Sequence, residues 1–157
     1  MESPNLLLLL LLLAVAAFAA TGDAYGKFRH LHLYSRNSEP ARSVDLHRNN
    51  SFGNILAFDN VLQEGPDPSS RVIARPQGMA VIADLTGANA FTAYTITFIA
   101  GEFNGSSLSV LGLTTMTGVS DRSIVGGTGY FRTARGYILS QNIDVGMEDY
   151  NIYITFS

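Results

Sequence analysis

The sequence predicts an all-β domain, a sandwich or a closed barrel, and three observations carry that expectation. Short runs rich in β-branched and aromatic residues recur along the chain, with Gly, Pro, Asn and Ser clusters between them. No long stretch shows the apolar period of an amphipathic helix, so nothing is available to cover one face of an open sheet. Packing two sheets together or curling one shut then buries the apolar faces, and closure also removes the exposed edges.

The chain has 157 residues, which fits one domain. Leu6 to Ala20 is an unbroken apolar run that ends in small residues, and residues 1–24 read as a secretory signal peptide. Cleavage after Ala19 fits the small-x-small rule, with Ala24 as a second candidate. Residues 25–157 then form the folded domain. The run is short for a membrane span, and no basic cluster follows to stop transfer. With no cysteine, stability must come from a packed core or from subunit contacts. Ten basic against thirteen acidic side chains give a formal charge of -3 without any basic run, so neither nucleic acid nor an anionic membrane surface is an expected partner.

The first run, Phe28–Tyr34, alternates: Phe28, His30, His32 and Tyr34 on one side, Arg29, Leu31 and Leu33 on the other. Residues 35–51 are polar and read as a long surface loop. Phe52–Leu62 reads as one strand interrupted by Asp59, and residues 63–70 are turn chemistry throughout. Arg71–Ala83 follows as a strand, with Pro76 marking a bulge or an edge because it cannot donate to a ladder. Phe91–Ile99 is the clearest strand, placing Tyr94, Ile96 and Phe98 on one face. An Asn104-Gly105 hairpin signal leads into Leu108–Leu113, then come a short Asp121–Val125 segment and a closing Tyr150–Phe156 run.

Ile124 to Tyr137 is the stretch around which the rest is organised. Gly126, Gly127 and Gly129 suggest a tight turn, after which Phe131, Thr133, Arg135, Tyr137 and Leu139 fall on one strand face. An arginine sharing a face with aromatics offers a polar handle in an otherwise apolar pocket, or a rim residue with its head in water. Arg75, Asp59 and Tyr94 are the other polar candidates for such an interior. It would suit a flat, weakly polar ligand.

Other chemistry has little support. No G-x-S-x-G elbow is present, and the glycine run satisfies neither nucleotide-loop pattern. His30 and His32 have a spacing that can hold a metal, but no third ligand is evident nearby and no metal or other cofactor is expected. Asn49 and Asn104 begin N-x-Ser sequons and are candidate glycosylation sites.

Phe52-Gly53, Phe58-Asp59, residues 64–70, the Val72–Gly78 run, Asn104–Leu108 and Val125–Gly136 together resemble the plant dirigent proteins. The resemblance covers the chain from about Phe28 onwards and rests on several motifs in order. It implies an eight-stranded antiparallel β-barrel, secretion to the apoplast, and a homodimer or homotrimer. It also implies a function without a redox centre. A separate oxidase or peroxidase makes phenoxy radicals from a monolignol, and the barrel holds them so that one stereoisomer forms. Relatives act on quinone methides as dehydratases or cyclases. By this resemblance Arg135 and Asp59 take the catalytic roles, with Arg75, Tyr94 and Tyr137 binding the substrate. Two departures stand out. Arg36-Asn37 replaces a family His-Asp pair, and Tyr130 stands where many members carry an acid after the glycine turn. They favour a second reading, a phenolic-binding defence protein that has lost the directing chemistry.

Overall fold

The structure, a computed structural model, describes residues 28–37, 42–44 and 52–156, with backbone alone for 42–44. The expected signal peptide and Asn49 lie outside the described residues. Ten strands are present among the described residues: β1 (Phe28–Arg36), β2 (Arg42–Val44), β3 (Ile55–Asp59), β4 (Val61–Gln63), β5 (Val72–Ile82), β6 (Asn89–Phe98), β7 (Ser107–Thr115), β8 (Ser120–Thr128), β9 (Ala134–Asp144) and β10 (Met147–Phe156). A 3-10 turn, Gly129–Phe131, joins β8 to β9. All pairings are antiparallel.

The sheet closes. β4 pairs with β1, β1 with β10, and the order continues through β9, β8, β7 and β6 to β5, which returns to β4. β3 continues the β4 stave along β5, so the ring has eight staves, and β2 is an extra strand on the outer side of β3. The barrel expected from the sequence is therefore present.

Phe52–Leu62 is not one strand. It breaks at Asn60, whose N–H donates to Pro76 O at 2.9 Å. In an antiparallel strand the N–H and C=O of one residue point the same way, so the donor that Pro76 lacks falls at that break. β5 consequently runs straight through Pro76 without a bulge there.

Inward-facing residues make the core. Leu62, Ile96, Leu108, Ile124, Ile138, Ile152 and Ile154 are fully or almost fully buried, each worth about 1.5–3 kcal/mol relative to exposure. One end of the barrel is plugged by rings. Phe98, Phe103 and Phe131 meet at 4.9–5.5 Å, and Tyr130 closes over them at 5.0 Å from Phe103 and 5.4 Å from Phe156. Thr92 and Phe98 lie on the same inner face of β6, separated by about 20 Å at the usual strand rise. The plug therefore leaves the other end, around Thr92, free.

The glycine stretch also differs from its expected form. Gly126 and Gly127 lie within β8, and the turn begins at Gly129, whose φ is +58°. Gly127 is required for close approach: a Cβ there would sit 2.2 Å from Ser107 O and 2.8 Å from Phe131 Cβ. At Gly126 the nearest atom would be Arg135 Nη1 at 3.6 Å. Gly127→Ala should therefore destabilise the barrel by about 1–3 kcal/mol, while Gly126→Ala leaves stability within about 0.5 kcal/mol, as read by urea unfolding of both variants.

Candidate functional site

The unplugged end holds a cavity of about 180 Å³. Phe58 and Leu56 of β3, Ala80 of β5, Thr92 of β6 and Thr114 of β7 form one side. Arg122 of β8 and Glu148 and Tyr150 of β10 form the other, with Asn37 and Asn60 also in the lining. An engineered apolar cavity of about 150 Å³ accepts benzene, so this space suits one substituted ring.

Its organising charge is Arg122, only 3% exposed. Alternation along β8 forces it inward, because Ser120 and Ile124 on either side are buried on the same face. Nη2 donates to Ser140 Oγ and lies 3.7 Å from Glu148 Oε2, and Nη1 donates to Thr114 Oγ1 at 3.3 Å. The guanidinium carbon sits 5.0 Å from the Tyr150 ring centre and 5.4 Å from that of Tyr94. Burial opposes the charge, but Tyr150, Tyr94 and Glu148 outweigh it and hold the proton more firmly than usual. Two donors remain unused. Arg122 Nε and the Tyr94 hydroxyl are buried without a hydrogen-bond partner among the described residues.

Tyr94 lies directly behind the lining, 6% exposed, its ring edge-on to Phe58 at 5.7 Å. Burial first, and Tyr150 second, push its hydroxyl well above the usual range, with Arg122 opposing. Tyr150 is raised by burial as well, against the pull of Arg122. Both phenols are therefore neutral donors at physiological pH. Such a wall can take an electron-rich oxygen: a cation with a spare N–H, neutral phenols behind it, and a carboxylate 3.7 Å away.

The expectation that Arg135 and Asp59 face one enclosed cavity is corrected by this geometry. Arg135 is exposed on the outer wall, and its Nη1 donates to Ala134 O at 2.8 Å. The 3-10 turn over Gly129–Phe131 resets the alternation, so Phe131 is buried while Ala134, Ile138 and Ser140 point inward and Arg135 and Tyr137 outward. Asp59 and Arg75 pair on the outer wall between β3 and β5, at 2.8 and 2.9 Å. Hydrogen bonding from Gln77, then Arg75, holds the Asp59 carboxyl below its usual range. Of the five expected residues only Tyr94 faces the interior. His30 and His32 point outward, bonded to Asn151 and Asp149. Asn104 is exposed in the turn between β6 and β7. Of the two departures, Asn37 lines the cavity and Tyr130 belongs to the distant aromatic plug.

Arg122, Glu148 and Tyr150 were the residues missed. Their signal was a charge in phase with an apolar face: Arg122 alternates with Ile124, and Glu148 with Tyr150, Ile152 and Ile154.

The two buried phenols give a direct test. In a spectrophotometric titration of all seven tyrosines, Tyr94 and Tyr150 should stay protonated as pH rises past about 10, where unfolded tyrosine ionises. Their raised values contribute stability below that pH, which is lost progressively above it, so unfolding should release both at once. Smooth ionisation of all seven near pH 10 in the folded protein would contradict this environment.

Comparison with known proteins agrees with this architecture. The family described as dirigent-like protein matches residues 28–156. Dirigent protein 1 of Arabidopsis thaliana is 37% identical, over 94% of this chain and 91% of its own. Pterocarpan synthase 1 of Glycyrrhiza echinata is 34% identical over 71% of this chain and 65% of its own. The solved structure of a pterocarpan synthase dirigent protein superposes with a TM-score of 0.75 at 30% identity, covering 83% of this chain and 86% of that one.

Proposed function

The chain belongs to the dirigent-like family, and from that premise we propose that it binds one phenolic intermediate per barrel and directs the stereochemistry of its bond formation. The observation that carries the reading is the spare Nε donor of a buried Arg122 in the wall of a ring-sized, aromatic-sided cavity. A phenoxyl or quinone-methide oxygen accepts from Arg122 while Phe58 and Tyr150 flank the ring. Fixing the oxygen and one ring face leaves a single approach open to the coupling partner, and a difference of about 1.4 kcal/mol between approaches favours one product tenfold.

In the leading form of this reading a separate oxidase or peroxidase makes the monolignol radical, and the barrel orients it in lignan-type coupling. A second form, action on a quinone methide as a cyclase or dehydratase, is favoured by Glu148 beside Arg122, a carboxylate placed to move a proton. Asn37 in the cavity lining, where relatives carry an acid, favours binding without proton transfer at that position.

Self-association as a dimer or trimer is part of the proposal. Ile55, Val81, Phe91 and Leu113 form one row across the outer faces of β3, β5, β6 and β7, with Met79, Ala93 and Leu111 beside it. Most of these side chains are exposed, making an apolar strip suited to burial between subunits. Sedimentation equilibrium reads the stoichiometry, and a monomer at all concentrations removes this part. The apolar run before residue 24 supports secretion to the apoplast, which the N-terminus of protein recovered from plant tissue checks.

The deciding experiment adds purified protein to coniferyl alcohol and an achiral one-electron oxidant. An enantiomeric excess in the coupled product is expected, lost in Arg122→Met with unfolding unchanged in cooperativity. Racemic product at saturating protein, with turnover of a preformed quinone methide and no oxidant, selects the second form. Racemic product without such turnover overturns the directing role.

A further inference from the structure

The outer wall opposite the apolar strip is of a different kind. There β9, β10 and β1 lie side by side, and register places Tyr137, Tyr153 and His30 in one row across them. The rings stack: Tyr137 on Tyr153 at 4.8 Å and 23°, Tyr153 on His30 at 4.5 Å and 7°. The next row on the same face is Leu139, Asn151 and His32, and the one after it Gln141, Asp149 and Tyr34. Over Leu139 and Asn151 lies an open trough of about 260 Å³, walled by Tyr153 at one side and by Gln141 and Asp149 at the other.

The polar side chains here are held in place. His30 Nε2 and Asn151 Oδ1 are 3.0 Å apart, His32 Nε2 and Asp149 Oδ1 2.5 Å, and Asn151 Nδ2 donates to Asp149 Oδ2 at 3.4 Å. Such cross-links fix rotamers before any ligand arrives, which lowers the entropic cost of binding. The Gln141 side chain is exposed and has both an acceptor and donors to offer. Asp149 keeps lone pairs beyond those its partners use. Among the described residues neither Lys nor Arg lines the trough, so an anionic ligand would find a carboxylate there and no countercharge from them.

The geometry points to a binding site for a neutral saccharide on the outer wall of the barrel, formed by Tyr153, Leu139, Gln141, Asp149 and Asn151. A sugar ring is amphipathic in the way this trough is. Its C–H face packs on the Leu139 floor against the edge of Tyr153, whose ring faces are taken by Tyr137 and His30, and its hydroxyls exchange hydrogen bonds with amide and carboxylate edges. The site is separate from the internal cavity and does not depend on the phenolic reading. It lies on the far side of the ring from the β5–β7 strip, so subunit contacts through that strip leave it open.

Affinity electrophoresis of the intact protein through gels containing soluble glucan, arabinoxylan or galactomannan tests this, with polygalacturonate as the anionic control. Retardation by at least one neutral polymer and not by the control is expected. Gln141→Ala and Tyr153→Ala should each weaken it tenfold or more, while Arg122→Met leaves it unchanged. Gln141 is exposed, so its variant keeps the test valid should Tyr153→Ala unfold. The inference is overturned if none of the neutral polymers retards the protein, if polygalacturonate retards it equally, if Gln141→Ala binds as the wild type does, or if Arg122→Met abolishes the effect.

Discussion

A guanidinium enclosed by a barrel sets the terms for everything around it. Moving an unpaired charge out of water costs far more than any single contact returns, so the fold must supply partners from several strands at once. Arg122 on β8 draws on Thr114 from β7, Ser140 from β9, and Glu148 and Tyr150 from β10, with Tyr94 from β6 beneath. These groups meet only because the sheet is closed and its staves are in register. The same enclosure leaves Nε without a hydrogen-bond partner among the described residues. A buried donor of that kind carries a desolvation cost that a hydrogen-bond acceptor would remove, which is why the proposed function centres on this atom.

The barrel divides its length between two tasks. At one end phenylalanines from β6, the β6–β7 turn, the 3-10 turn and the end of β10 fill the interior and fix the staves. At the other, smaller residues, Ala80, Thr92 and Thr114, leave the space that Arg122 overlooks. Rigidity at the plug and space at the mouth are complementary, because close packing below the cavity holds the staves that form its walls. The outer surface is divided as well, with an apolar strip over β3 and β5–β7 and a polar aromatic trough over β9, β10 and β1.

The inner faces of β1 and β6 were legible because alternation there is uninterrupted, with Leu31 and Leu33 inward, His30 and His32 outward, and Tyr94, Ile96 and Phe98 buried, whereas the short strand Arg42–Val44 falls in the stretch expected to be a loop. The barrel itself came through the dirigent resemblance, since alternation alone leaves a sandwich open. What alternation could not give was phase across an irregular turn. Counting from Phe131 put Arg135 inside, whereas the Gly129–Phe131 turn shifts the phase and puts it in water. Asn60 does the same on a smaller scale: the break there is set by Pro76 on the neighbouring strand, a tertiary cause that no local window contains. Arg122 was readable in principle, because its neighbours in phase are Ser120 and Ile124, yet an isolated arginine in a short strand resembles any exposed one until closure turns its face inward.

On the proposed reading, Arg122 receives the oxygen of a phenolic guest. The most direct measurement is the NMR resonance of its Nε–H during titration with a simple phenol and, separately, with the matching methyl ether. A saturable shift of that resonance with the phenol is expected, with tighter binding as ring substituents make the phenol oxygen a stronger acceptor. Equal response to the ether, or an unmoved Arg122 while outer-wall resonances shift, would contradict it.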